Sequence, residues 1–127
     1  MAGELIVVIE DNEKNRKLVR HILEHEGYRV LEAEGGEEGL RLVKEHGAAL
    51  VLMDIRLPDI DGIAALRRLR EDPAIQTIPV MAVTASAMTT DRVKIMAAGF
   101  DGYQAKPIAL KPFVAAVREL VQRGPTG

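Results

Sequence analysis

The sequence predicts an α/β fold: one doubly wound domain whose five-stranded parallel sheet carries helices on both faces. Three observations lead there. Short apolar runs alternate five times with stretches of helical period, three of those runs are rich in β-branched residues while two carry polar side chains, and 127 residues suffice for one domain only.

The first run is Leu5 to Ile9, "LIVVI", too dense in branched apolar residues for a half-solvated strand. A helix follows, with Leu18, Val19, Ile22 and Leu23 at helical spacing, and Gly27 stands where its end needs a left-handed residue. Residues 28–33, "YRVLEA", carry charge and suit an edge strand that meets water. Leu40 and Val43 mark the second helix, closed by Gly47, and Leu50 to Met53 the third strand, again apolar on both sides. Ile63, Leu66 and Leu69 give the third helix. Pro73 and Pro79 interrupt the way into the fourth strand, Ile78 to Val83. A weaker helix around Val93 and Met96 ends at Gly99, and residues 102–105, "GYQA", form a short second edge strand. The last helix has the clearest stripe: Leu110, Phe113, Val114, Val117, Leu120 and Val121.

With the apolar strands central and the polar ones outermost, the strand order is 2-1-3-4-5, the flavodoxin-like arrangement, with right-handed crossovers. One domain covers residues 1–127, its core at about 5–121 and a short Gly/Pro tail at 124–127. In such sheets ligands gather beyond the carboxyl ends of the strands, where the order reverses.

Composition narrows the function classes. A net charge of -2, scattered Lys and Arg and 3% aromatic residues speak against a nucleic-acid partner. No cysteine is present, which removes disulfides, thiolate catalysis and Cys-ligated metals. "LIVVI" is far too short to span a membrane and runs into acids, unlike a signal peptide, so a cytoplasmic protein without membrane insertion is expected.

The residues that follow each strand carry the chemistry: Glu10 and Asp11 after the first, Asp54 after the third, Thr84 after the fourth, and Lys106 with Pro107 after the fifth. Three carboxylates brought to one edge repel each other, and their hard oxygens call for Mg²⁺, with Mn²⁺ as a substitute. An ammonium, a hydroxyl and a divalent cation around one carboxylate are the parts that hold a phosphoryl group on it. Asp54 is then the nucleophile and the acceptor.

On these residues the chain resembles the receiver domain of two-component response regulators, from about residue 5 to 121. The motifs are the acidic pair Glu10 and Asp11, Asp54 ending an apolar strand, "PDIDG" after it, "TA" at Thr84 and Ala85, and "KP" at Lys106 and Pro107. The resemblance implies that Asp54 is the phosphoacceptor, Asp11 a direct metal ligand and Glu10 an acid reaching the metal through water. The backbone carbonyl of Arg56 is a further ligand, and Lys106 pairs with the phosphoryl oxygens. It also implies a switch, in which Thr84 donates its hydroxyl to the phosphoryl group and Tyr103 rotates into the space vacated, and a cis bond before Pro107. The implied partners are a histidine kinase or histidine phosphotransfer protein as donor and a downstream protein as target. The sequence carries no output domain after the fifth helix, so output by protein–protein contact is expected, whether from a stand-alone regulator or from a receiver cut out of a larger protein. The family's acidic pair is often two aspartates, and Glu10 is longer by one methylene. Arg56 is bulky for its place and is expected to shield the acyl phosphate.

Taken singly, each feature has a plainer meaning. Acids at a helix start stabilise its dipole, "PDIDG" marks a turn or helix start, Lys106 is a solvated lysine and Tyr103 an edge-strand tyrosine. Only the joint pattern reverses those readings. An aspartate-nucleophile phosphatase of the haloacid dehalogenase type needs a second Asp two residues after the nucleophile, where Arg56 stands. An FMN carrier needs phosphate-binding amides and hydroxyls where "EDNEKN" offers carboxylates, and a binding-only pseudo-receiver does not need the full acid set. His21, His25 and His46 are read as surface residues, the methionines as core filler. Gly35, Gly36 and Gly39 in "GGEEG" do not make a dinucleotide fingerprint.

Overall fold

The computed structural model describes residues 3–85 and 89–124. Five strands, β1 (Leu5–Ile9), β2 (Arg29–Ala33), β3 (Leu50–Asp54), β4 (Val80–Thr84) and β5 (Gly102–Ala105), form one sheet in the order β2-β1-β3-β4-β5, every neighbouring pair parallel. Five helices connect and complete it: α1 (Glu13–His25), α2 (Gly36–His46), α3 (Gly62–Glu71), α4 (Thr89–Ala97) and α5 (Leu110–Arg123). The strand order and the alternation of strand and helix are those expected from the apolar runs.

Because side chains alternate across a strand, each central strand feeds two cores. Val7, Ile9, Val51, Met53, Val80 and Ala82 pack against α2, α3 and α4 through Leu40, Val43, Leu66, Leu69 and Ile95. Ile6, Val8, Leu50, Leu52, Met81 and Val83 pack against α1 and α5 through Val19, Leu23, Phe113, Val117 and Leu120. Truncating any of the fully buried ones, Leu52 or Phe113 for example, removes about 2–5 kcal/mol of stability. Gly27, Gly47 and Gly99 have positive φ, and the edge strands β2 and β5 are only partly covered, both as the sequence predicts.

Several residues depart from the predicted pattern. Strand β4 starts at Val80, not Ile78, since Pro79 has no amide to give the ladder and Val80 N donates to Asp101 Oδ2 instead. In α4 the inward residue is Ile95; Val93 and Met96 lie on the solvent side, 62% and 41% exposed. Met96 is therefore not core filler, whereas Met53 and Met81 are buried. Leu18 and Leu110, counted in apolar stripes, are also exposed because each sits at the flank of its helix's buried face. The three histidines are exposed. Of the tail expected at 124–127, residues 125–127 lie outside the described residues, as do Met1 and Met88.

Candidate phosphorylation site

Parallel strands all deliver their carboxyl ends to one edge of the sheet, and the predicted site residues sit there. Glu10 leaves β1 with its amide still paired to Ala33 O at 3.0 Å, and Lys106 leaves β5 with its amide on Thr84 O at 2.8 Å. These two ladder bonds continue the sheet one residue past its strands, and so aim both side chains over the edge. Asp54 ends β3 in register with Val83 of β4. The Lys106–Pro107 bond is cis, as the resemblance implies.

Together they line a crevice of about 570 Å³ with Asp11, Asn12, Arg56 and Thr84. Glu10, Asp54 and Thr84 are buried, while Asp11 is exposed. One oxygen from each of Glu10, Asp11 and Asp54 lies within 4.8 Å of the others. Lys106 Nζ bridges two of the three, 2.6 Å from Glu10 Oε1 and 2.8 Å from Asp54 Oδ2. The remaining Asp54 oxygen, Oδ1, accepts the Arg56 amide at 3.1 Å, and Glu10 Oε2 accepts the Asn12 amide at 3.1 Å.

The electrostatics follow from that crowding. Burial, and next to it the Asp54 carboxylate, push the Glu10 carboxyl up to about 7, although the Lys106 hydrogen bond works the other way. For Lys106 burial alone would lower the ammonium's pKa, but its hydrogen bonds and charge contacts with Asp54 and Glu10 outweigh that and hold it above the ordinary lysine value. A group of three carboxylates, two of them buried, with one ammonium is short of positive charge. Its all-oxygen donor set fits a small hard cation such as Mg²⁺.

Tyr103 lies elsewhere on the sheet. It pairs with Ala82 and packs on the α2/α3/α4 core, its ring centroid 5.4 Å from the Arg92 guanidinium. Since Ala82 and Thr84 share a face of β4 and Ala105 pairs with Thr84, Tyr103 and Thr84 occupy diagonal positions on the same side of the sheet.

Asp59 and Asp61 do not join the acid group. Asp61 is the N-cap of α3, accepting from Ile63 N and Ala64 N, and Asp59 accepts from the first amides of α2. The plainer reading of "PDIDG", a helix start, thus holds for Asp61, whereas Asp59 serves the start of α2. Two residues at the site were not visible in the sequence. Arg16, on α1, donates from NH1 to the Glu10 carbonyl at 3.0 Å and pairs at 3.6 Å with Glu32 and with Glu34. Asn12 is the α1 N-cap as well as the Glu10 partner, and only its capping role follows from a local rule.

Comparison with known proteins agrees with this geometry. The family model described as "Response regulator receiver domain" matches residues 6–118. The polar-differentiation response regulator DivK of Brucella ovis is 39% identical over 113 residues, covering 89% of this chain and 92% of the relative. Among solved structures, the receiver domain of a sensor histidine kinase from Pseudomonas aeruginosa PAO1, with a magnesium ion coordinated in its active-site cleft, is 33% identical at a TM-score of 0.82. It covers 97% of this chain and 98% of that one. A response regulator receiver domain protein (CheY-like) from Methanospirillum hungatei JF-1 is 27% identical at a TM-score of 0.86, covering 96% of each chain. Read with five parallel strands that bring an acid pair, an aspartate, a threonine and a lysine to one edge, these matches lead to a single assignment: the chain belongs to the response regulator receiver domains of two-component systems.

Proposed function

We propose that Asp54 accepts a phosphoryl group from the phosphohistidine of a histidine kinase or a histidine phosphotransfer protein. An Asp54 carboxylate oxygen attacks phosphorus, the P–N bond to imidazole breaks, and the departing imidazole takes up a proton. The reading is carried by one observation: a buried aspartate at the end of β3 whose two oxygens are held by Lys106 Nζ and the Arg56 amide, within a crevice whose lining includes Thr84, Glu10 and Asp11.

Asp11 and Asp54, the backbone carbonyl of Arg56 and, through water, Glu10 are the groups that would hold Mg²⁺, or Mn²⁺ in its place. When bound, the ion offsets carboxylate repulsion and draws charge from the phosphoryl oxygens. Lys106 grips a phosphoryl oxygen with a charge-assisted hydrogen bond, and Thr84 Oγ1 donates a second. Side-chain parity supports the switch: Thr84 and Tyr103 face the same side, so displacement of one frees space beside the other. The surface of α4, β5 and α5 is the face through which a downstream protein reads the change, and Val93 and Met96 already lie open on it.

In this reading the chain is a cytoplasmic signalling domain that catalyses its own phosphorylation and dephosphorylation, one domain over residues 1–127, and not a turnover enzyme. Among the described residues no helix is long and apolar enough to cross a membrane. Incubation with acetyl phosphate, with and without Mg²⁺, followed by intact mass tests the proposal. The chain gains one phosphoryl group only with the metal, and Asp54→Asn gains none. Equal labelling of Asp54→Asn would remove Asp54 from its role.

A further inference from the structure

The glycines of "GGEEG" have a structural partner in "PDIDG". Helix α2 begins at Gly36 with Gly35 as N-cap, a residue that has no side chain to satisfy the first amides. Asp59, 23 residues away, supplies the missing acceptor: Oδ1 takes Gly36 N and Oδ2 takes Glu37 N, both at 2.8 Å. The same Oδ1 also accepts the Ile60 amide at 2.9 Å.

The close approach needs the glycines. A Cβ on Gly35 would lie 2.9 Å from Asp59 Oδ1, and one on Gly36 would lie 2.5 Å from Ile60 Cγ1. Gly35 has an extended backbone at φ -142, so the space its Cβ would take, and not its φ, is what favours glycine there. At its far end the segment is held again. Gly62 N donates to Ile55 O at 2.8 Å, and a Cβ on Gly62 would meet Asp54 O at 2.5 Å. The loop between, which carries Arg56, is therefore fixed to β3 at one end and to α2 at the other.

We propose that Asp59 is a positioning residue for the phosphorylation site: seated on the glycine-built start of α2, it sets the loop that presents the Arg56 main chain to the crevice. The inference rests on the functional reading above, in which the Arg56 carbonyl is a metal ligand. The hydrogen bonds of Asp59 go to the amides of Gly36, Glu37 and Ile60, so its effect passes through the loop. Groups that orient ligands from behind typically change metal affinity by about 10–100-fold when removed.

The test compares Asp59→Ala, Asp59→Asn and Gly35→Ala with wild type in three measurements: calorimetric Mg²⁺ titration, amide hydrogen exchange of the metal-free chain, and thermal melting. Asp59→Ala should weaken Mg²⁺ about tenfold and raise exchange across residues 55–60 well below its melting temperature. Asp59→Asn keeps one acceptor oxygen and should recover most of the affinity, while Gly35→Ala, which displaces the carboxylate, should fall between. If Asp59→Ala only lowers the melting temperature, with Mg²⁺ affinity and loop exchange unchanged, the residue is a plain helix cap and the proposal is wrong. Failure of the wild type to bind Mg²⁺ or to take up phosphate would instead overturn the functional reading. The exchange data on metal-free protein distinguish the two failures.

Discussion

Replacing Lys106 with alanine removes a cation bonded to two buried carboxylates. Lys106 Nζ lies 2.6 Å from Glu10 and 2.8 Å from Asp54, and their side chains are 6% and 8% exposed. Breaking a buried pair by deleting one partner costs about 3–5 kcal/mol, because the other charge stays buried and uncompensated. Here Glu10, whose carboxyl is already pushed up to about 7, relieves part of the cost by taking up a proton, which puts the expected loss near 3 kcal/mol. For a domain of this size that is a drop in melting temperature of about 12 °C. The same substitution removes a positive charge from beside the metal-binding acids, so Mg²⁺ should bind Lys106→Ala about tenfold more tightly than wild type, even as phosphorylation slows. Chemical denaturation in chelator, repeated across a Mg²⁺ series, measures both effects. A Lys106→Ala protein within 1 kcal/mol of wild type without metal, or one that binds Mg²⁺ more weakly, would refute the charge argument.

Other perturbations separate framework from site. Arg70 donates to the carbonyls of Gln76 and Ile78 and to Asp101 Oδ2 at the amino-terminal edge of the sheet, so Arg70→Ala should cost about 2–3 kcal/mol by denaturation and leave Mg²⁺ affinity unchanged. The exposed Arg56 side chain lines the crevice, and Arg56→Ala should hasten loss of the acyl phosphate by up to about tenfold, the worth of one charge-assisted hydrogen bond; equal dephosphorylation rates would remove that role. Hydrogen bonds from the Glu37 amide first, then those of Gly36 and Ile60, hold the Asp59 carboxyl below the ordinary aspartate value. Its contribution is thus present above the unfolded pKa, about 3.9, and lost as pH falls through the lower folded value. Melting curves of wild type and Asp59→Asn should accordingly converge in acid and separate above about pH 4.

The fold was legible because a parallel sheet buried on both faces writes itself as unbroken apolar runs, and β1, β3 and β4 carry just that signature. The acids, Thr84 and Lys106 were legible for a related reason: each directly follows a strand, and strand ends share one edge. What stayed hidden depends on long-range contact. Arg16 reaches the Glu10 carbonyl from the end of the first turn of α1, a spacing no local rule marks. Asp59 caps a helix that begins 23 residues before it, so the meaning of "GGEEG" lay in a loop elsewhere in the chain. In α4 the apolar residues Val93, Ile95 and Met96 do not define one stripe, and only packing shows that Ile95 is the inward one.

The charge content of the crevice bears on how a phosphoryl donor reaches it. Glu10, Asp11 and Asp54 against Lys106 leave the edge negative, and the Glu10 carboxyl is raised first by burial and then by its neighbour Asp54. A phosphoryl donor is itself an anion, so it approaches a like-charged cleft with low dielectric walls, where field lines are focused. Lys106 cannot relieve this alone, since its single charge is already divided between two carboxylates. A divalent cation held by these acids would offset that repulsion, and Lys106 would then face the incoming oxygens beside a second positive charge. Lys106 Nζ lies 2.8 Å from Asp54 Oδ2, so it would need little movement to reach a phosphoryl group carried on that carboxylate.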